Sequence, residues 1–379
     1  VQSKQTIAVH SGTIKDDMHG GILSPLFPSS SHRHLDMNED VYPRHANLPN
    51  QRAVAQKMCA LESGGEAALI LSSGMAAIST AMLSHLKAGD HIVLQNSVYS
   101  GALKFVQNHF LKLGITYSVS ESCDVESILK AVNSNTRAIY IETPTNPLLK
   151  IMDIERLVKF AKSKGLFTFI DNTIATPINQ NPLDLGVDMV LHSATKFLGG
   201  HGDVSGGVAV GSEASISLMT DYMNDFGGCL NAQACHLLER SLRTLAIRMD
   251  KVNQNALELA SRLNEHPNIT KVHYPGLPSH ENHKIACDQM RGFGGMVSFE
   301  LSHKFDATSF QRQLNLITPS NSLGDLETTL NSPYQASSSF RSLSPQEQKK
   351  SGVTTQLIRM SVGIEDVSDL YEDLNQALS

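Results

Sequence analysis

The chain has 379 residues, 41% hydrophobic and 18% charged, a length that builds two or three domains and a composition that excludes disorder, collagen-like repeats and low-complexity scaffolds. The net charge of −6 gives no electrostatic drive toward nucleic acid, and no apolar run approaches the roughly 18 residues of a membrane helix. Five cysteines, odd and sparse, argue against a disulfide framework and for a reducing compartment, so a cytoplasmic location is expected. The N-terminal VQSKQTIAVHSG lacks the apolar core of a signal peptide.

Residues 1–50 read as an arm. They carry Pro25, Pro28, Pro43 and Pro49 and the run SPLFPSSS, with no sustained period of 2 or 3.6. Residues 51–240 read as the main domain. Helical spacing covers 52–62 and 74–87. Short β-rich runs follow at 91–95, 115–119, 137–142, 166–171, 188–193 and 206–211. Between them, 124–132 and 153–164 have helical spacing and open on an aspartate suited to N-capping. Strands alternating with helices imply right-handed crossovers and a mostly parallel sheet covered on both faces. Residues 241–379 read as a smaller α+β domain. A long helical stretch at 231–265 leads into it, followed by strands at 294–301 and 357–363 and helices at 306–314 and from Asp366 onward.

Open α/β sheets bind ligands at the carboxyl ends of their strands. Three consecutive strands are followed by TPTNP, by Asp171-Asn172-Thr173 and by Ala194-Thr195-Lys196, which brings Asn146, Asp171 and Lys196 toward one crevice. A lysine just past a buried strand is desolvated, which lowers its pKa and makes its amine nucleophilic. An amine, an anion and the hydroxyls of Ser193 and Thr195 are the groups pyridoxal phosphate requires. It needs a lysine for its aldehyde, an acid for its ring nitrogen, and hydroxyls with helix N-terminal amides for its phosphate. LSSGMAA opens a helix at which the amides of Gly74 and Met75 suit that phosphate, and Tyr99 in NSVYSG is placed to stack on a ring.

The stretch SATKFLGGHGDVSGG, together with ETPTNP, IDNTIATP, SSGMAA, LRTLAIRMD, HYPGLPSH and IRMSVGIED, resembles the Cys/Met-metabolism family of pyridoxal-phosphate enzymes over nearly the whole chain. That family includes cystathionine γ-lyase, cystathionine γ-synthase, methionine γ-lyase and the O-acylhomoserine sulfhydrylases. The resemblance implies the aspartate-aminotransferase-like fold (fold type I), a pyridoxal-phosphate-binding domain at 51–240 and a homotetramer built as a dimer of active dimers. It implies that Lys196 carries the cofactor, Asp171 faces the ring nitrogen, Ser193, Thr195, Gly74 and Met75 hold the phosphate, and Tyr99 stacks and exchanges protons. It further implies that Asn146 orients cofactor and substrate and that Arg359 clamps the α-carboxylate, a task suited to its planar fork. Ser320 and Asn321 of SNSLGD would meet the distal end of a small sulfur amino acid. Tyr42 and Arg44 would complete the phosphate site of a neighbouring subunit.

The chain departs from that pattern in the arm (YPRHANLPN), at Asn321 where γ-lyases often carry glutamate, at Ser100-Gly101 where methionine γ-lyases carry a cysteine, and at SSSFR (337–341). The expected reaction is γ-elimination of the cystathionine γ-lyase type. Its alternatives are γ-replacement on an O-acylhomoserine and methionine γ-lysis; the chain's length favours the compact cystathionine enzymes over the sulfhydrylases. A nicotinamide oxidoreductase lacks its glycine fingerprint here, and no GxGxxG, P-loop, GxSxG or HExxH string occurs. A non-catalytic relative is disfavoured by the joint presence of Lys196, Asp171, Tyr99 and Arg359. No metal site is expected: His280 and His283 have no clustered cysteines or carboxylates.

Overall fold

The computed structural model describes residues 2–336, 348 and 351–379; the SSSFR departure lies outside them. Helices α1 (Lys4–His10) and α2 (Pro49–Leu61) precede β1 (Ala67–Leu71), α3 (Gly74–His85) and β2 (His91–Leu94). Then come α4 (Ser100–His109), β3 (Thr116–Val119), α5 (Val125–Ala131), β4 (Thr136–Glu142), α6 (Ile154–Ser163) and β5 (Phe167–Asp171). After α7 (Thr176–Asn179) the sheet is completed by β6 (Met189–Ser193) and β7 (Gly207–Gly211). Its seven strands run in the order β1-β7-β6-β5-β4-β2-β3. The links from β3 to β6 are parallel, and β7 alone runs antiparallel to its neighbours. This mixed α/β architecture with a mostly parallel central sheet is the expected fold class.

The elements form where local chemistry directs them. Strands β2, β4, β5 and β6 are near-continuous apolar runs because helices cover both faces of the sheet. Helix α6 is capped by Asp153, which accepts from the Arg156 amide, and it buries Ile154, Leu157, Val158 and Ala161, the i, i+3, i+4, i+7 stripe of an amphipathic helix. Helix α5 is capped in the same way by Asp124.

Beyond β7 lie α8 (Glu213–Phe226), α9 (Ala232–Leu242) and α10 (Leu245–Glu265). The stretch expected as one helix over 231–265 is therefore two. The Ser241 carbonyl, which a continuous helix would offer to the Leu245 amide, accepts from the Thr244 amide and from Arg248 Nη2. The smaller sheet follows: β8 (Ile269–His273), α11 (His283–Gln289), β9 (Met296–Leu301), α12 (Ala307–Gln313), β10 (Thr318–Pro319), β11 (Thr329–Asn331) and β12 (Leu357–Ser361). Its order is β10-β11-β12-β9-β8, and the helix Val367–Ala377 closes the chain.

The arm contains one element its sequence does not announce. Helix α1 is capped by Ser3, buries Ala8, and offers the Ala8 carbonyl to the fully buried Lys57 ammonium at 2.9 Å. At seven residues it is too short to show a period. The rest of the arm leaves large apolar side chains in water, Met18, Ile22 and Leu35 at 85%, 86% and 72% exposure. Strand β1 and helices α4 and α8 are likewise additions to the sequence reading. All five cysteines are free. Among the described residues no helix is long and apolar enough to cross a membrane, and no group of three or more His, Cys, Asp or Glu could hold a metal ion.

Candidate active site

Parallel pairing puts the carboxyl ends of β4, β5 and β6 side by side, with Glu142 opposite Asp171 and Asp171 opposite Leu191. Above this edge lies a cavity of about 360 Å³. Gly74, Met75, Tyr99, Asn146, Asp171, Ser193, Thr195, Lys196, Asn321 and Arg359 all line it. The first eight come from the large sheet and its loops; Asn321 and Arg359 come from the smaller sheet.

Lys196 Nζ donates to Ser322 Oγ at 3.2 Å. Burial lowers the amine's pKa, the nearby Arg359 lowers it further, and Asp325 opposes both. Arg359 stands on β12, 7% exposed, and donates through Nη2 to the carbonyls of Asn321 (3.1 Å) and Ser322 (2.9 Å). Its Nε has no partner, and burial brings its pKa down to about 10. The site thus holds a fixed cation with unused donor capacity beside an amine held below the ordinary lysine range.

Asp171 is buried. Burial raises its pKa, against the Thr173 hydroxyl (2.5 Å), the Thr173 amide (3.1 Å) and the Tyr140 hydroxyl (3.3 Å), all of which donate to its carboxylate. Glu142 shares the cavity, and its pKa lies well above the usual carboxylate range because of burial and then Asp171. Its two oxygens accept from the amides of Tyr99 (2.5 Å) and Asn146 (3.2 Å), so one carboxylate fixes two of the expected residues. The Tyr99 ring lies against Gly101, where a Cβ would come within 2.4 Å of it.

Helix α3 begins at the cavity with Ser73 as its cap, accepting from the Ala76 amide at 3.0 Å. The Gly74 and Met75 amides belong to the first turn, whose N–H groups have no intrahelical acceptor, and the helix dipole there favours an anion. A Cβ on Gly74 would fall 2.8 Å from Ser193 Cβ and 2.9 Å from its Oγ. Glycine is what lets the helix start approach the Ser193 hydroxyl.

Two loops meet at the lysine. Gly324, at φ +87°, leaves its missing Cβ 2.5 Å from the Phe197 amide and 2.8 Å from the Lys196 carbonyl carbon, so the two backbones touch. On the other side Arg248 donates to the carbonyls of Phe197 (2.7 Å) and Leu198 (3.3 Å). The segment that carries Lys196 is held from both flanks.

Ser320 corrects the sequence reading. Its amide extends the β11 pairing by donating to the Leu330 carbonyl, its own carbonyl accepts from Asn331, and it does not line the cavity; Ser322, two residues on, is the one that meets Lys196. Tyr42 and Arg44 lie outside this chain's own cavity. Tyr42 is 43% exposed, and Arg44 donates to the Asn224 carbonyl. The sequence reading missed Glu142, Thr173, Tyr140 and Ser322. Glu142 and Thr173 sit inside the ETPTNP and IDNT motifs and were findable as strand-end polar residues, whereas Tyr140 and Ser322 carry no local signal.

The family model described as Cys/Met metabolism PLP-dependent enzyme matches residues 5–379. The chain is 40% identical over 379 residues to a cystathionine gamma-lyase of Bacillus subtilis (strain 168), covering 99% of each. It is 38% identical over 380 residues to a cystathionine beta-lyase of Lactococcus lactis subsp. cremoris, again covering 99% of each. The solved cystathionine gamma-lyase from Lactobacillus plantarum, complexed with L-serine, superposes with a TM-score of 0.94 at 37% identity, over 99% of this chain and 98% of that one. With a lysine, a buried acid and a helix start converging on one cavity, and a family match from residue 5 to residue 379, the chain belongs to the Cys/Met-metabolism family of pyridoxal-phosphate-dependent enzymes.

Proposed function

We propose that the protein is a carbon–sulfur lyase that carries out γ-elimination on cystathionine, giving a 2-oxo acid, ammonia and a thiol, as a cytoplasmic homotetramer built from two active dimers. The observation that carries this reading is the meeting of the Lys196 amine, the Asp171 carboxylate and the Arg359 guanidinium in one cavity.

The residues present fit pyridoxal phosphate. The missing Cβ of Gly74 opens a cradle between the α3 start and Ser193, and the donors around it are the hydroxyls and amides a phosphate takes. Ser73, Ser193, Thr195, Gly74 and Met75 would hold the phosphate. Asp171 would hold a proton at the ring nitrogen, and Tyr99 would cover the ring. Bound there, the cofactor supplies an electron sink for the electrons released at the substrate's α-carbon.

The chain's own groups do the rest. Arg359 takes the α-carboxylate with its free Nε and its fork, fixing which Cα substituent faces Lys196. Lys196 would carry the cofactor; its amine, once released by the incoming substrate, would take the proton from Cα, hand it on, and as a free base again take one from Cβ, burial favouring its neutral form. Ser322 gives that amine a resting contact. Tyr99 exchanges a proton with the departing sulfur. Asn146, held by Glu142, orients the substrate, while Asn321 meets its distal end. Tyr42 and Arg44 reach a neighbouring subunit's phosphate site, and the bare apolar side chains of the arm fit a second copy of the chain as their cover.

Curated relatives of almost equal identity carry different lyase names, so the test is a product assay. Cystathionine, methionine, cysteine and an O-acylhomoserine plus thiol are compared under identical conditions. Fastest 2-oxo acid release from cystathionine at its γ-side is the expected result. Thioether formation from the O-acylhomoserine without oxo acid would replace this reading with γ-replacement.

A further inference from the structure

We propose that Glu62 and His192 form a buried hydrogen-bonded pair beneath the large sheet that sets the position of Asp171 and so its grip on the cofactor; both are positioning residues, and the inference rests on the reading that Asp171 faces the cofactor's ring nitrogen. Glu62 directly follows α2, and its side chain, like that of His192, is wholly shielded from water. His192 Nε2 lies 2.7 Å from Glu62 Oε1. The same oxygen accepts from Asn172 Nδ2 at 3.1 Å, and Oε2 accepts from Asn181 Nδ2 at 3.3 Å.

These partners neighbour the cavity residues in sequence. Successive side chains alternate across a sheet, so His192 lies behind Ser193, and Asn172 behind Asp171. The Asn172 amide donates to the Leu191 carbonyl at 2.9 Å, which continues the pairing of β5 with β6. One carboxylate therefore ties together the two strand ends that present Asp171 and Ser193.

A carboxylate with no access to water needs donors on its lone pairs. The nearby Lys4 directs its ammonium to the Leu61 carbonyl and the Ser63 hydroxyl, which leaves His192 Nε2, Asn172 and Asn181 to hold Glu62. Burial pushes the Asp171 pKa up, and after the Thr173 hydroxyl and amide the charge of His192 pulls it back. His192 Nδ1 has no partner, so the bond to Glu62 is what fixes the ring. The other titratable groups around this network are Lys4 on α1, Asp184 before β6, Arg291 through its 2.7 Å bond to Asn181, and Tyr140 and Glu142 facing Asp171 from β4.

The experiment compares His192→Gln, Glu62→Gln, the double variant and Asp171→Asn with the unsubstituted enzyme. His192→Gln keeps a donor near the place of Nε2 without the imidazole, and Glu62→Gln keeps the shape of the carboxylate. The readouts are the dissociation constant for pyridoxal phosphate and the pH midpoint of the bound cofactor's absorbance. Each single variant is expected to bind the cofactor about tenfold more weakly, the equivalent of one pKa unit, and to move the midpoint in the direction Asp171→Asn moves it. The double variant is expected to lose no more than the worse single, because the two residues act as a unit. Unchanged binding and midpoint in the pair variants, with Asp171→Asn impaired, would overturn the inference alone; an unimpaired Asp171→Asn would overturn the reading beneath it. If one single variant fails to fold, the other carries the test. If neither folds, the pair is structural and the proposal falls.

Discussion

Replacing Gly74 with alanine adds one methyl group at the junction of α3 and β6. The added carbon falls 2.8 Å from Ser193 Cβ, short of ordinary carbon–carbon contact by about 0.7 Å, so helix start and strand end must part by that much. Overpacking of this kind costs about 1–3 kcal/mol. The glycine is not in a left-handed conformation, so alanine recovers up to about 1 kcal/mol of helix propensity, and the unliganded fold loses about 0–3 kcal/mol. The cofactor loses more. A charge-assisted hydrogen bond to phosphate is worth about 1.5–3 kcal/mol, and moving the Ser193 hydroxyl away from the α3 amides costs roughly one such bond, a ten- to hundredfold rise in Kd. The assay is titration of cofactor-depleted Gly74→Ala with pyridoxal phosphate, next to urea unfolding of the same preparation. Native affinity in a folded Gly74→Ala would refute the placement of the phosphate at this junction.

Three other expectations can be checked directly. Arg359 is the second cause, after burial, of the low pKa of Lys196, so Arg359→Leu should raise KM and also move the acid limb of kcat, which reports the substrate-bound state in which the amine is free, to higher pH, because losing a positive neighbour makes the amine easier to protonate; an unmoved limb would separate Lys196 from that limb. Arg44→Ala should loosen cofactor retention while the cavity of its own chain stays intact, since Arg44 lies outside it; unchanged retention by equilibrium dialysis would remove the arm from the site. Lys57 has its pKa lowered to about 8 from 10.5 by burial. The unfolded chain therefore binds more protons than the native one between those values, and stability should rise with pH across that window. Urea midpoints should show this rise flattened in Lys57→Met, and an identical slope in both proteins would refute it.

Much of the large sheet was legible because its strands are buried on both faces and read as unbroken apolar runs between polar strand ends. The same property exposed Asn146, Asp171 and Lys196, since whatever follows such a strand stands at the ligand-binding edge. Arg359 came through the IRMSVG resemblance and not through its spacing. Other features were hidden for physical reasons. Helix α1 is too short to show a period, and its stability comes from Ser3 and Lys57, one outside it and the other 49 positions from the carbonyl it holds. The break between α9 and α10 turns on Thr244 and Arg248 taking up the Ser241 carbonyl, inside a stretch whose apolar spacing runs on without interruption, so periodicity does not register it. The partnership of Lys196 with Ser322 joins residues 126 apart in sequence, from two different sheets, and no window on the chain contains both.

The contact between Gly324 and the lysine segment restricts how the entrance of this enzyme can be remodelled. With backbone pressed on backbone, an inward shift of the loop at Gly324 meets the main chain of Lys196 and Phe197, and a side chain at position 324 has nowhere to go. Side-chain exchanges at Asn321 and Leu323, which line the cavity, alter its shape without asking the main chain to move.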